Sequence, residues 1–362
     1  MQPGLVSILM PAYNGAEFIR QAVDSVIVQS YPQWELVVVD DGSTDQTAAI
    51  IAGYPDARIR YAFQENRGQA AALNRGLALA EGEFITTLDV DDWLAVDSLA
   101  DRVAYLAHHL EDGAVYGNGF YCDVAGRPLM RFSENRVGDV AGDVYATLIY
   151  TPFFGTGANV MVRRQVLDQH QIQYDESIVW CQDYDFYIRI AAVARFGLVH
   201  TPTVWYRLHA ANMTMAMTKT RQLRSLLATR LKVLRSPRFA ELTAAEQGQF
   251  FNVLLSQDAG DREADQAGVV DSAAFRSLPP AVQAKILLQA AQVHLLQQRL
   301  GPARRLLRRA WVRHPFGPRT AAALALAHLS PSLARAAILR WRRLRGMPTG
   351  PVVSPLEAAK LA

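Results

Sequence analysis

The sequence predicts an α/β fold with a mainly parallel sheet, followed by an all-α C-terminal region. Short β-branched runs alternate with helical patterns over the first hundred residues, which is typical of βαβ units on a parallel sheet. After about Met215 the strand signals fade, and prolines break the remainder into helical segments. The sequence therefore predicts an α/β domain over residues 1–215 and a helical, basic region over residues 216–362.

Hydrophobic spacing predicts the individual elements of the α/β domain. Apolar runs predict buried strands at 6–10 and 35–39, with an amphipathic helix at 18–29 between them. Further strands are predicted at 59–63, 84–88, 115–121, 158–162, 197–200 and 204–208, and further helices after Thr44, at 69–80, beyond Asp97 and at 184–194. In open α/β sheets, ligands bind beyond the carboxyl ends of strands, so acidic residues at those ends are candidates for a site.

The composition indicates a globular protein from a reducing compartment. The 362 residues are 50% hydrophobic, which allows a large core. Two cysteines, Cys122 and Cys181, are too few for a disulfide framework or a zinc knuckle. No apolar run approaches the ~20 residues that a membrane span needs. We expect a cytoplasmic protein that does not cross a bilayer.

The net charge of +3 hides an uneven distribution along the chain. Residues 272–356 contain 14 Lys and Arg and no Asp or Glu, which leaves the rest net acidic. Within 302–313, arginines occupy the helical face opposite an apolar face that includes Trp311. Two interpretations stay open: solvated arginines on an internally packed domain, or a peripheral contact with the anionic inner face of the plasma membrane. We expect no nucleic-acid partner, because no recognised motif accompanies these residues.

Asp40 and Asp41 end the second predicted strand and precede the turn 42–45. A turn with a helix cap explains the polar residues of that turn. It does not explain adjacent acids where a strand leaves the core, whereas a contact with a nucleobase or a ribose would.

The segment Asp89-Val90-Asp91-Asp92 directly follows another predicted strand. In an extended segment, residues i and i+2 project to the same side, which places the carboxylates of Asp89 and Asp91 on one face. Two hard oxygen ligands suit Mg²⁺ or Mn²⁺ that also holds substrate phosphates. A solvated loop or a helix cap is the alternative for an isolated pattern of this kind, and the preceding buried strand favours the metal.

Three later residues are weaker candidates. Asp183 begins an aromatic-rich helix, where it is either an acid favoured by the helix dipole or a general base that deprotonates an acceptor hydroxyl. His209 is either structural or a ligand of a metal or a phosphate. Gly157, in Gly-Thr-Gly, either allows the backbone to approach a sugar or belongs to a turn.

Five segments together resemble the family-2 glycosyltransferases of the GT-A fold. The resemblance covers about residues 6–214. Its pieces are VSILMPAYNGAEFIRQAVDSVIVQSYPQWELVVVDDGSTDQT, ENRGQAAALNRGLALAEGEFITTLDVDDW, GANVMVRR, QDYDFYIRIA and YRLHAANMT, in the family's order and at similar spacing. The resemblance implies an inverting transfer of a sugar from a nucleoside diphosphate, most simply a UDP-sugar, to a hydroxyl of a lipid-linked or cell-surface glycan.

The resemblance also implies a role for each site residue. Asp183 would be the catalytic base, and Asp91, Asp89 and His209 would hold the metal. Gln182, Gly157 and Trp180 would contact the acceptor. The donor nucleotide would be bound by Pro11, Ala12, Tyr13, Asn14, Asp40, Asp41, Arg67, Arg75 and Asp89.

Two positions depart from the family's pattern. The usual Ala-Arg-Asn contains Leu73 in place of the arginine, so Arg67 or Arg75 would supply the cation on the donor side. The usual Glu-Asp reads Gln182-Asp183, which should alter acceptor contacts more than catalysis.

Three other classes compete with the transferase. A nicotinamide-dependent dehydrogenase would carry G-x-G-x-x-G after the first strand, and this chain does not. A nucleotidyltransferase would carry a glycine- and arginine-rich phosphate loop near the N-terminus, and this sequence shows no such loop there. A non-catalytic membrane-surface or partner-binding protein would fit if Gln182 marked a decayed transferase domain.

Overall fold

The computed structural model describes residues 1–134, 138–213, 217–256, 268–297, 299–315 and 318–344. The chain divides into two compact units, Met1–Thr218 and Lys219–Ala362. The first unit has one β-sheet with helices on it. The described residues of the second unit form helices and connecting turns.

Nine strands among the described residues of the first unit form its sheet. They are β1 Gln2–Ala12, β2 Trp34–Asp40, β3 Ile59–Phe63, β4 Gly82–Thr87, β5 Trp93–Leu94, β6 Asp112–Cys122, β7 Pro128–Arg131, β8 Val160–Arg163 and β9 Arg195–Arg207. Their order is β3-β2-β1-β4-β8-β6-β9-β5, with β7 paired to β6. The first four strands are parallel, as predicted. Beyond β4 the sheet is mixed, because β8 runs antiparallel to both of its neighbours.

The first helices connect the parallel strands. The described helices of this unit are α1 Ile19–Ile27, α2 Thr47–Ala52, α3 Gln69–Leu79, α4 Ser98–His108, α5 Tyr145–Leu148, α6 Arg164–His170 and α7 Gln182–Ala191, with 3₁₀ turns at Phe132–Glu134 and Gly157–Asn159. Every residue of β2 is buried, as the continuous apolar run predicted. The predicted α/β architecture is therefore confirmed.

The prediction of two strands at 197–200 and 204–208 is wrong, because β9 is one strand of 13 residues. Thr201-Pro202 lies between the two predicted strands. In the structure Pro202 pairs with Asn118 of β6 where the register shifts, so the missing N–H of proline is tolerated within a continuous strand. The strand predicted at 158–162 starts later, at Val160, after a 3₁₀ turn.

The second unit contains eight further described helices. They are α8 Lys219–Val233, α9 Pro237–Ala240, α10 Ala244–Ser256, α11 Ala273–Arg276, α12 Pro280–Leu296, α13 Leu300–Arg313, α14 Pro318–Leu329 and α15 Pro331–Leu344. In α13, Leu306 and Leu307 of the predicted apolar face are buried, whereas Trp311, predicted on the same face, is 37% exposed. Among the described residues, no helix combines the length and hydropathy that crossing a membrane requires.

Candidate active site

The carboxyl ends of β1, β2 and β4 lie at one edge of the sheet, because both β2 and β4 pair in parallel with β1. Asp40 is the last residue of β2, and Asp89 follows the end of β4 by two residues. Both acidic clusters therefore lie at the edge where open α/β sheets bind ligands.

The carboxylate of Asp40 is buried and accepts one hydrogen bond on each oxygen. The backbone N–H of Ser43 donates to Oδ1 at 2.7 Å, and the hydroxyl of Tyr61 donates to Oδ2 at 2.8 Å. Burial and the neighbouring Asp40 raise the pKa of Tyr61 to about 12, so this phenol stays a donor. Asp40 thus fixes both the turn after β2 and a side chain of β3.

Asp41 accepts three hydrogen bonds from the loop that precedes α3. Gln64 Nε2 and the N–H of Arg67 donate to Oδ1 at 2.7 and 2.8 Å, and the N–H of Gly68 donates to Oδ2 at 2.8 Å. Gly68 has a φ of 92°, which favours glycine there. Asp41 therefore holds loop 64–68 against the end of β2.

The loop after β1 is joined to the turn after β2. Pro11 and Ala12 are buried, whereas Tyr13 is 55% exposed and Asn14 is exposed. Asn14 has a φ of 48°, and its Oδ1 accepts a hydrogen bond from the N–H of Thr44 at 2.8 Å. This arrangement gives the edge a fixed rim on which the ring of Tyr13 is accessible.

Asp91 lies beside His209, as the sequence predicted for residues of one site. His209 Nε2 lies 2.9 Å from Asp91 Oδ2, and Asn212 Nδ2 donates to the same oxygen at 2.8 Å. Asn212 Oδ1 accepts from the N–H of His209, which fixes the loop after β9. The loop after β9 is therefore attached to the loop after β4.

Asp89 is linked to the two helices that flank it. Gln69, the first residue of α3, donates through Nε2 to Asp89 Oδ1 at 2.8 Å. Gln182, the first residue of α7, donates through Nε2 to Gln69 Oε1 at 2.6 Å. Both glutamines therefore belong to the same cluster as Asp89.

Asp92 is the buried member of the acidic loop and is 1% exposed. The N–H of Arg207 donates to Asp92 Oδ1 at 3.1 Å, and Arg207 Nε donates to the carbonyl of Asp91 at 3.0 Å. Burial, together with the charges of Asp91 and Asp89, raises the pKa of Asp92 well above the usual range. Arg207 thus fixes the backbone of the acidic loop.

Asp183 lies in the first turn of α7, close to Gly157. A Cβ added at Gly157 would lie 2.9 Å from Thr87 Oγ1 and 3.9 Å from Asp183 Cβ, so a side chain at position 157 would clash with Thr87 and touch Asp183. Tyr187 donates its hydroxyl to the carbonyl of Gly157 at 3.0 Å, which fixes that backbone. Burial raises the pKa of Asp183, and two backbone N–H bonds, one from Tyr184, lower it in part.

Like charges crowd this part of the site. Burial, then the charges of Asp91 and Asp183, raise the pKa of Asp89 to about 7, and the hydrogen bond from Gln69 opposes that shift. The three predicted functional carboxylates therefore act on one another electrostatically. Such crowding of carboxylates is typical of sites that receive a metal or a proton.

The two arginines predicted for the donor side have partners in the structure. Arg67 NH2 donates to Glu176 Oε2 at 3.0 Å, with 65% of the arginine side chain exposed. Arg75 NH1 donates to the carbonyl of Phe63 at the end of β3. Leu73, at the position where the family has arginine, is buried in the core. Arg67 is the better placed of the two, because its backbone lies in the loop that Asp41 holds.

The predicted acceptor residues surround the start of α7. Gln182 is 6% exposed, Gly157 is buried and Trp180 is partly exposed. Cys181, between the tryptophan and the helix, has a φ of 66°. This left-handed residue turns the chain sharply into α7, which places the first turn of the helix at the site.

Asp89 and Asp91 fit a divalent cation that a substrate also holds. Among the described residues, no group of three or more His, Cys, Asp or Glu is placed to hold a metal ion. Asp89 Oδ2 and Asp91 Oδ1 accept no hydrogen bond from a described residue, so each carboxylate keeps one oxygen for a ligand. Mg²⁺ and Mn²⁺ need only one or two such carboxylates when phosphates complete the coordination.

Four residues of the site were missed in the sequence: Gln69, Asn212, Arg207 and Glu176. Gln69, Asn212 and Arg207 all stand within the segments that resemble the family. Their role depends on the partner that the fold brings to them, which spacing alone does not reveal. Glu176 accepts from Asn74 Nδ2 at 3.1 Å as well as from Arg67, so it joins α3 to the loop before α7.

Comparison with known proteins places this site in a family. Residues 7–171 match the family model described as "Glycosyl transferase family 2". An uncharacterized glycosyltransferase of Rickettsia prowazekii is 30% identical over 222 residues, which is 58% of this chain and 66% of that protein. The succinoglycan biosynthesis protein ExoU of Rhizobium meliloti is 31% identical over 209 residues, 55% of this chain and 60% of that protein. The matched part thus spans less than two thirds of these relatives.

Solved structures resemble the whole fold. S. aureus TarS 1-349 in complex with UDP-GlcNAc superposes with a TM-score of 0.57 at 18% identity, covering 95% of this chain and 92% of that one. The mannosyltransferase PcManGT of Pyrobaculum calidifontis, in complex with GDP-Man and Mn²⁺, gives 0.51 at 22% identity, covering 92% and 86%. This likeness confirms the predicted GT-A fold.

Proposed function

The chain belongs to glycosyl transferase family 2, and we propose that it inverts an anomeric centre while transferring a sugar from a nucleoside diphosphate, a UDP-sugar, to an acceptor hydroxyl. One observation carries the proposal: Asp89, Asp91 and Asp183 converge at the carboxyl edge of the parallel strands, with His209 beside Asp91. The first two carboxylates suit a cation with a diphosphate, and the third suits a base.

On the donor side, the residues at the ends of β1 and β2 would hold the nucleoside. Tyr13 offers an accessible ring for the base, and the rim that Asn14 and Asp40 stabilise would receive the ribose. Asp89 and Asp91 would hold the cation, with His209 at the edge of that site. A bound divalent cation would neutralise charge that gathers on the departing diphosphate.

On the acceptor side, Asp183 would take the proton of the acceptor hydroxyl. That oxygen then attacks the anomeric carbon as the bond to the diphosphate breaks on the opposite face, which inverts the configuration. Burial raises the pKa of Asp183, and a carboxylate with a raised pKa is a stronger base for this step. Gly157 and Trp180 lie close enough to the start of α7 to contact the acceptor.

The acceptor would be a lipid-linked or cell-surface glycan of polysaccharide biosynthesis. The relative named for succinoglycan biosynthesis supports this substrate class. Helix α13 exposes Arg305, Arg308 and Trp311 while Leu306 and Leu307 are buried. We propose that this exposed face contacts anionic lipid, which would bring the enzyme to an acceptor carried in the membrane.

The transfer proposal is tested by incubating the protein with UDP-sugars and Mn²⁺ and following UDP release. Slow transfer to water makes the donor itself a sufficient probe, and ¹H NMR reports the first anomer formed. We expect UDP release that EDTA abolishes, and a β-anomer from an α-linked donor. Retention of the α configuration would contradict inversion. The matched control Asp168→Asn removes an exposed carboxylate outside the site and should leave the rate unchanged.

The membrane proposal is tested by flotation with vesicles of phosphatidylcholine alone or of phosphatidylcholine mixed with the anionic lipid phosphatidylglycerol. We expect binding only to the anionic vesicles, and loss of most binding in Arg305→Gln/Arg308→Gln. Equal flotation of the double variant and the wild type would contradict the assignment of this helix face.

A further inference from the structure

Gln69 and Gln182 form a short chain of amides that ends on Asp89. Gln182 Nε2 donates to Gln69 Oε1 at 2.6 Å, and Gln69 Nε2 donates to Asp89 Oδ1 at 2.8 Å. We call these two side chains the amide relay. The relay joins the first residues of α3 and α7 to the loop after β4.

The relay has one polarity, and that polarity leaves an acceptor unpaired. Gln182 is 6% exposed, and its Oε1 is buried without a hydrogen-bond donor among the described residues. Leaving a buried acceptor unpaired is costly, so such a group in a folded protein calls for an explanation. The proximity of Asp89 explains the unpaired oxygen of Gln182.

Turning both amides over would satisfy Gln182 Oε1 through Gln69 Nε2. It would also place Gln69 Oε1 against Asp89 Oδ1, and a carboxylate that binds a cation is ionised and only accepts hydrogen bonds. The observed polarity therefore gives the N–H to Asp89 and leaves the shortage of donors at Gln182. The hydrogen bond therefore goes to the carboxylate that would hold the sugar donor, and the first residue of α7 lacks one hydrogen bond.

We infer that Gln69 and Gln182 are positioning residues that fix one oxygen of Asp89 and leave its other oxygen to the cation and the donor. This inference rests on the proposed function, because it concerns how the donor is held. It also explains why an amide rather than an acid suits position 182. Glutamate at 182 could only accept, so Gln69 would turn its N–H away from Asp89, and a further negative charge would join Asp89, Asp91 and Asp183.

The inference is tested by calorimetric titration of UDP in the presence of Mn²⁺, alongside the melting temperature of each variant. We expect Gln182→Glu to weaken UDP binding by at least tenfold, and Gln69→Met to weaken it by about tenfold without adding charge, in proportion to one lost hydrogen bond to a charged group. Gln173→Glu adds the same charge at an exposed position and should bind UDP as the wild type does.

A rescue separates positioning from a general effect on the fold. In Gln69→Lys/Gln182→Glu the ammonium can donate to both carboxylates, so binding should return to within threefold of the wild type. Unchanged UDP binding in Gln69→Met, or a failure of the rescue with normal melting temperatures, would overturn the relay while the proposed function stands. A wild type that binds no nucleotide with Mn²⁺ would overturn both.

Discussion

The two acidic clusters at the carboxyl edge look alike in the sequence and are built in opposite ways. Asp41 accepts three hydrogen bonds, two of them from backbone N–H groups. Asp89 accepts one, and burial with the charges of Asp91 and Asp183 raises its pKa to about 7. In the first cluster every carboxylate oxygen accepts a hydrogen bond, whereas in the second Asp89 Oδ2 and Asp91 Oδ1 accept none from a described residue.

This difference separates a carboxylate that builds the site from one that is ready to bind a ligand. A buried carboxylate with enough donors is already stabilised, so it holds the loop around it. A buried carboxylate with too few donors and like-charged neighbours gains stability from a cation. We therefore propose that Asp41 serves the donor pocket through loop 64–68, and that Asp89 and Asp91 serve it directly.

The largest expected effect is on the rate of sugar transfer when Asp183, the proposed base beside the second cluster, is replaced. Asp183→Asn should lower the rate of sugar transfer by about 10²- to 10⁴-fold, because the amide cannot take a proton. The Kd of UDP with Mn²⁺ should stay within about threefold of the wild type, a change below 1 kcal/mol. Rates of UDP release and calorimetry measure the two quantities. Equal transfer rates for the variant and the wild type would remove Asp183 from the mechanism.

Asp91→Asn should separate binding from stability in the second cluster. We expect UDP binding with Mn²⁺ to weaken by about 100-fold, which corresponds to ~2.7 kcal/mol. The melting temperature should not fall, because the substitution also removes repulsion between Asp91 and its acidic neighbours. A large fall in melting temperature with intact nucleotide binding would place Asp91 with the structural carboxylates instead.

Asp41→Asn should show the reverse behaviour in the first cluster. Its amide can no longer accept on both atoms, so the donors of loop 64–68 lose partners, and the free energy of unfolding should fall by about 2 to 3 kcal/mol. Urea unfolding measures this loss. Nucleotide binding should weaken by only about tenfold, through the disturbed loop. Full stability combined with abolished binding would break the distinction between the clusters.

The remaining prediction concerns the pH dependence of the free energy of unfolding without ligand. The raised pKa of Asp89 means that the folded state binds a proton more tightly than the unfolded state does. Its contribution is therefore fully present below about pH 4 and is lost as the pH rises to about 7, by at most ~1.4 kcal/mol per pH unit. Melting temperatures across this range should show the loss, and Asp91→Asn should reduce it. A slope of the opposite sign would contradict the crowding.

The sequence was sufficient to predict the parallel half of the sheet, because periodicity and strand-end acids are local signals. It was also sufficient to bring Asp91 and His209 into one site through resemblance, although 118 positions separate them. It did not reveal the continuity of β9 through Pro202, since a register shift in a neighbouring strand has no local signature. Nor did it reveal Gln69, whose partner on α7 is 113 positions away.

The number of hydrogen bonds that each carboxylate accepts is likewise not evident from the sequence. Asp40-Asp41 and Asp91-Asp92 are the same dipeptide, and only the backbone around each pair determines how many N–H groups reach its oxygens. The turn at Gly68, with its positive φ, directs an N–H at Asp41. The loop after β4 instead brings like charges together, and the charge of Asp91 raises the pKa of Asp89.

The most direct test of the central claim is a thermal-shift panel of the wild type with UDP, GDP, dTDP and CDP, each with Mn²⁺ or with EDTA. Asp41→Asn and Asp91→Asn are measured beside it. A ligand that binds the native state raises its melting temperature. The account predicts a shift with UDP that needs Mn²⁺, that survives in Asp41→Asn at a lower starting temperature, and that disappears in Asp91→Asn. No shift with any nucleotide, or an equal shift in Asp91→Asn, would contradict it.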